Sequence, residues 1–230
     1  MSKKKILSLA LVVIMLAILS FGSLAWFTDK DSAKNDFTVG GAGQNDPDKI
    51  FSVDVKENVD GEDAPVDSMD FEDVLPGDNH KKEAFVSNTG SYEQYIRVVM
   101  TITDWEQIKN VVSIKMDEKF NDNWHIYASG VYVDDNGYLK PHSNATVNAD
   151  GALVVTLFLN KKLEVGGKVD IMDMVSVSVD ATQADFAGAN FADGFQITFD
   201  ADAAQTENIL SAYDADEWKN AQATFKTLEG

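Results

Sequence analysis

The chain has no cysteine among its 230 residues. That excludes a disulfide framework, thiolate metal sites and thiol catalysis. A secreted domain without disulfides must be held by its own core, which a domain of about 200 residues can supply. Basic residues are scarce as well: 19 Lys and Arg stand against 38 Asp and Glu, for a formal charge of −19. Phosphate binding needs clustered Lys and Arg, so this balance argues against nucleic acid as a partner. It argues equally against docking on an anionic membrane surface. The acid surplus fits solubility and mutual repulsion outside the cell, with a cation-binding surface as the alternative.

Histidine is limited to His80, His125 and His142. None stands in an HExxH pattern or an i, i+4 pair, so the usual zinc hydrolase helix is absent. His80 reads as a turn residue and His142, after Pro141, as a second solvated one. His125, between Trp124 and Ile126, reads as a strand residue. No GxSxG elbow is present. The Gly-Gly-Ala-Gly at 40–43 lacks the Lys and following helix of a phosphate loop. No catalytic residue and no metal ligand set is expected, and the chain reads as a non-enzyme.

What is present begins with a targeting pattern. Lys3, Lys4 and Lys5 form a positive start, residues 6–19 are apolar except for Ser8, and Ser20, Gly22, Ser23 and Ala25 are small. This is the order of a secretory signal peptide. Ser23 and Ala25 stand three and one before a cut, so the mature chain is expected to start at Trp26 or Phe27. The apolar run is long for such a segment, which leaves an uncleaved membrane anchor as the alternative. Residues 1–25 carry three Lys and no acid, so the remainder is more acidic still.

Residues 26–49 read as an extended arm with a joint. Trp26, Phe27, Phe37 and Val39 are its apolar side chains, and Gly40, Gly41 and Gly43 its hinge. A sandwich domain is expected over 50–200. In 50–56, Phe51, Val53 and Val55 share one face. Another extended stretch, 71–75, ends in the turn Pro76-Gly77-Asp78. Strands are expected at 82–88, 95–103, 111–116, 124–128 and 131–133. In 95–103, Ile96, Val98, Met100 and Ile102 point one way. Asn136-Gly137 predicts a type I′ hairpin, and Asn148-Ala149-Asp150-Gly151 a second turn of that sort. Residues 152–159 form a continuous apolar run, suited to a strand buried on both faces. Residues 164–168 are a Gly-rich loop. In 173–183, Val175, Val177, Val179 and Ala181 are expected inward. Residues 201–226 carry apolar side chains at roughly helical spacing, which predicts one C-terminal helix with a break near Asp214. Roughly nine strands between Gly, Asn and Asp turns predict an all-β sandwich with a C-terminal helical segment over 201–230.

Carboxylate pairs are dense: Asp29-x-Asp31, Asp134-Asp135-Asn136, Asp200-x-Asp202 and Asp214-x-Asp216-Glu217. Oxygen ligands suit calcium, but none of these pairs completes an EF-hand loop, so the readings are a calcium site or solvated acidic loops. Tyr92, Tyr95, Trp105 and Trp124 are aromatics able to serve a carbohydrate, or to fill the core.

Three segments in order resemble one family. Residues 24–40, LAWFTDKDSAKNDFTVG, are similar to the processing region of proteins cut by the SipW-type signal peptidase. Residues 75–102 resemble the family's Pro-Gly-Asp turn, strand, Asn-Thr-Gly and long strand. Residues 175–186, VSVSVDATQADF, are similar to its late strand. Together they resemble the TasA/camelysin family of Gram-positive biofilm and surface proteins. Residues 187–230 match nothing in that pattern, and the long insert of the largest members is reduced. The resemblance implies a secreted jelly-roll sandwich in the extracellular matrix or at the cell surface. In fibre-forming members the freed arm adds as a strand to the next subunit, so the partners implied are further copies or other matrix proteins, and signal peptidase during export. Strand addition takes affinity from backbone hydrogen bonds and specificity from alternating side chains. Residues 26–39 folding onto their own domain is the alternative. A monomeric adhesin and, from camelysin-like relatives, a metalloprotease are the other functional readings.

Overall fold

A computed structural model describes residues 53–58, 76–127, 130–142, 145, 147–181, 195–207 and 209–229. Among them run β1 (Val53–Asn58), β2 (Asn79–Asn88), β3 (Gln94–Ile102), α1 (Trp105–Ile108), β4 (Val112–Met116), α2 (Phe120–Asn123), β5 (Trp124–Tyr127), β6 (Val131–Val133), β7 (Leu139–Pro141), β8 (Leu153–Leu159), β9 (Lys168–Val177), β10 (Ile197–Gln205) and α3 (Glu217–Leu228). One sheet has the order β1-β2-β9-β4, the other β10-β3-β8-β5, and β6-β7 form a small hairpin. Every pairing is antiparallel. The inward faces of both large sheets contribute to one hydrophobic core, the arrangement of an all-β sandwich. None of the described helices is long and apolar enough to cross a membrane.

Period-two patterning decides which residues fill that core. In β3, Ile96, Val98, Met100 and Ile102 are fully buried, while Arg97, Val99 and Thr101 face outward and are half-buried. Burying each such apolar side chain contributes about 1.5–3 kcal/mol. Val53 and Val55 of β1 are buried as expected; Phe51 and residues 71–75 lie outside the described residues. In β2 the ladder to β9 slips between Lys81 and Ala84. Lys82 sits in that irregularity and is fully buried, which strict alternation does not reveal because a bulge resets the facing of the residues that follow.

Two turns share one construction. Asp134 Oδ1 accepts the N–H groups of Asn136 and Tyr138, both at 2.9 Å, and Gly137 N–H donates to Asp134 O at 2.9 Å. Asn148 Oδ1 likewise accepts from Asp150 and Ala152, both at 2.9 Å, and Gly151 N–H donates to Asn148 O at 3.1 Å. The type I′ expectation is corrected here. That turn needs positive φ at both central residues, whereas only Gly137 (φ 85°) and Gly151 (φ 81°) adopt it. The geometry is a type I turn closed by a glycine in the left-handed region.

Three further expectations are corrected. The helix expected over 201–226, and with it the domain boundary at 200, gives way to β10, which continues to Gln205. Phe199, Ala201 and Ala203 point inward in period two, and pairing with β3 over nine residues outweighs alanine's helix preference. The helix itself starts only at Glu217, past the expected break. Strand β9 runs from Lys168 to Val177, starting and ending earlier than expected. A turn at Ser178 then leaves Val179 76% exposed, whereas Ala181 is buried. His80 is a β2 residue, with Nε2 3.7 Å from Asp78, and not a solvated turn residue.

Candidate functional site

Ser23, Ala25 and Trp26 of the expected cleavage site lie outside the described residues, as do Phe27, Phe37 and Val39 of the arm and Gly40, Gly41 and Gly43 of the hinge. Among the described residues β1 pairs only with β2, and β10 only with β3. These two edge strands pack against each other at one flank of the sandwich. The opposite flank is built otherwise. There, β5 has four residues, and β4 is bridged to the β6-β7 hairpin by Lys115–Tyr138 pairing and by Met116 N–H donating to Gly137 O at 2.8 Å. β10 is nine residues long and, among the described residues, is paired on one side by β3 alone.

A second assembly of residues lies on the outer face of the β10-β3-β8-β5 sheet. Register across that sheet places Asp202, Arg97, Phe158 and His125 in one row, from β10 through β3 and β8 to β5. Helix α3 packs over β3, β8 and β10. Tyr95, Phe158, Ala204, Ala221 and Phe225 form a small core beneath it, separate from the main one, with Trp218 at its margin. This explains why the β8 run is apolar on both faces only toward its end: α3 covers Phe158, while Val154 and Thr156 are half-buried.

Both ends of α3 are anchored to the row. At its start the Trp218 and His125 rings stack at 3.6 Å with 12° between planes. At its end Arg97 Nη1 donates to Glu229 Oε1, while Nε and Nη2 donate to Asp202 Oδ2 at 2.8 and 2.5 Å. The Arg97 guanidinium also lies 4.7 Å from the Phe225 ring centre. Ahead of the helix, Asp214 O accepts from Asn220 Nδ2 at 2.9 Å, and Asp214 N–H donates back to Asn220 Oδ1 at 2.6 Å. Burial, reinforced by the Glu217 carboxylate, holds the Tyr95 phenol well above the usual tyrosine range, so it stays protonated.

Burial pushes the His125 imidazole below its ordinary value, and the Asp216 charge offsets part of that shift. The sign follows: between the unfolded value of about 6.5 and the lower folded value, the unfolded chain binds the proton and the folded one does not. Stability is therefore full above pH about 6.5 and falls as the pH drops toward the folded value. An NMR titration of the His125 ring is expected to place its midpoint below 6.5, and lower again in Asp216→Asn. A midpoint at or above 6.5 would contradict this account.

The acidic pairs are engaged or dispersed. Asp134 is committed to its turn, Asp202 to Arg97, and Asp214 and Asp216 to Lys219, at 3.5 and 2.7 Å. Asp29 and Asp31 lie outside the described residues. Among the described residues no three His, Asp or Glu converge as a metal-holding group. Of the aromatics considered for carbohydrate, Tyr95, Trp105 and Trp124 are core, the last donating Nε1–H to Asp170 O at 2.9 Å. Tyr92 is 38% exposed. His142, just after β7, is exposed, its ring 4.6 Å from that of Tyr132. The three histidines lie apart in the chain's architecture, on β2, on β5 and after β7. Sequence reading missed the Asp202–Arg97–Phe158–His125 row, since its members come from four strands and only register aligns them. No protein-family model matches the chain, and no curated protein matches it.

Proposed function

We propose that this protein is a secreted structural subunit of a biofilm matrix or cell-surface fibre. After signal peptide removal, its N-terminal arm adds as a strand to the next copy. The observation that carries this reading is the β1/β10 flank, where two edge strands lie together, each paired on one side among the described residues. An arm with Trp26, Phe27, Phe37 and Val39 has apolar side chains to place against such a flank, and Gly40, Gly41 and Gly43 let it leave its own domain. The nested pairing of β2 with β9 and β3 with β8 supports the jelly-roll form. Head-to-tail addition is heterologous, so it generates filaments and not closed dimers. Before cleavage the signal segment would keep the arm at the membrane, which makes processing the switch.

The experiment is negative-stain microscopy of the chain starting at Trp26 beside one starting at Gly43. Fibres from the first and none from the second are expected. Two monomers, or fibres from both, would overturn assembly through the arm.

A further inference from the structure

Helix α3 is held less firmly than the strands beneath it. Its small core is separate from the main one. Two fully buried hydroxyls lie in that interface: Tyr95 on the strand side and Thr224 on the helix side. The Tyr95 oxygen lies beside the Glu217 carboxylate, which together with burial keeps the phenol protonated. The Thr224 hydroxyl makes no hydrogen bond among the described residues. A buried hydroxyl without a partner retains its desolvation cost, which is recovered when the interface opens to water. The connection from Thr206 to Asp216 contains no helix or strand among its described residues, and residues 211–216 are exposed. Such a segment opens before the sheets do.

The two anchors of α3 are complementary halves. The helix side carries the Trp218 ring and the Glu229 carboxylate; the sheet side carries the His125 ring and the Arg97 guanidinium. Every copy of the chain therefore presents both halves, and a helix released from one copy meets the same surface on another. The eleven residues 206–216, when extended, reach on the order of 35 Å. That exceeds the roughly 18 Å length of the helix they carry, so a neighbouring face is within reach.

We propose that the outer face of the β10-β3-β8-β5 sheet is a docking surface for α3 of a second copy, so that copies are joined by reciprocal helix exchange. Reciprocal exchange closes on itself as a dimer. It uses a sheet face, whereas arm addition uses an edge, so the two linkages are independent and together would tie filaments side by side. In a dilute monomer the helix's own tether gives an effective concentration on the order of millimolar, so closure within one copy wins. Exchange wins at the local concentrations of an assembled matrix, or after the helix has been opened and allowed to close in a concentrated sample.

Because the chain has no cysteine, an introduced pair reports without interference. Full mature chains carrying His125→Cys are mixed with chains carrying Trp218→Cys at high concentration, warmed until α3 opens, cooled and oxidised. A second pair is run in the same way, Phe158→Cys with Phe225→Cys, whose native rings lie 6.2 Å apart. The expected result is a covalent heterodimer at least tenfold above the homodimer that each variant forms alone. It should form equally in chains that start at Gly43, which separates this test from strand exchange through the arm. No heterodimer above background with either pair would overturn helix exchange and leave α3 as a fixed part of its own domain.

Discussion

Replacing Asn88 by Ala is expected to cost the fold about 3–5 kcal/mol, a large share of the roughly 5–15 kcal/mol that holds a domain together. The side chain is buried at the end of β2, and its amide does four things at once. Nδ2 donates to Tyr92 O and to Leu163 O, each at 2.8 Å. Oδ1 accepts from Gly90 N–H at 2.9 Å and from the Gln94 side chain. Those bonds fold the Asn88-Thr89-Gly90 corner and fasten it to the loop before β9. Backbone bonds run beside them, with Asn88 N–H donating to Gly167 O at 3.0 Å and Gly166 N–H to Asn88 O at 3.0 Å. Alanine removes one amide: Leu163 O keeps the Gln94 N–H at 3.1 Å, but Tyr92 O, Gly90 N–H and the Gln94 side-chain amide each lose a bond. The penalty for orphaned buried groups, about 1–3 kcal/mol each before non-additivity, exceeds the worth of any single bond. Urea unfolding should show a midpoint lower by roughly 1–3 M with little change in slope. Asn88→Asp is the sharper probe. It keeps the acceptor but turns a carboxylate oxygen toward two carbonyls, which raises its folded pKa. Stability contributed by the protonated form is then present below the unfolded value and lost as pH rises. The deficit of Asn88→Asp relative to the parent should shrink in acid, and a pH-independent deficit would sink this explanation.

Arg97→Ala is expected to release α3 while leaving the sandwich folded. The guanidinium is half-buried and joins three partners: Asp202 across the strand pair, Glu229 at the helix end and the Phe225 ring. Burial alone would lower its pKa, but the two carboxylates outweigh that and raise it, so it stays charged. The Glu229 side chain is more than half exposed, and its share is small after screening. Asp202 is mostly buried, and losing its cation leaves a carboxylate poorly compensated. A local cost of about 2 kcal/mol is expected. Amide exchange in α3 should then speed up by roughly 30-fold while the core amides of β3 and β8 keep their protection. Arg97→Lys should restore less than half of this, since an ammonium makes no planar fork for two carboxylates and covers less of the ring. Equal losses throughout the domain would show that Arg97 supports the sheets and not the helix.

The comparison of pattern with structure separates by range. Local rules were sufficient where one strand's own alternation meets one core: β3 and β1 lie as their apolar spacing implies, and Pro76-Gly77 turns as its residue types imply, with Gly77 at φ 93°. They were insufficient where neighbours intervene. Ala203 and Ala204 favour a helix in isolation, yet both are strand residues because the nine-residue ladder to β3 satisfies their backbone. Val179 continues an apolar alternation but is exposed, since its strand ends two residues earlier at a turn.

By itself, then, the sequence determined the class of the fold, most of its strands, the acidic surface and the absence of thiol chemistry, because these follow from composition and period-two spacing within single segments. Only the tertiary structure decided which strands became edges, where the Asn-Thr-Gly corner is pinned, and how Asp202, Arg97, Phe158 and His125 come to lie in one row under a helix. These depend on register between segments as much as a hundred residues apart, and register is set by the packing of the whole domain, not by any segment's own preference.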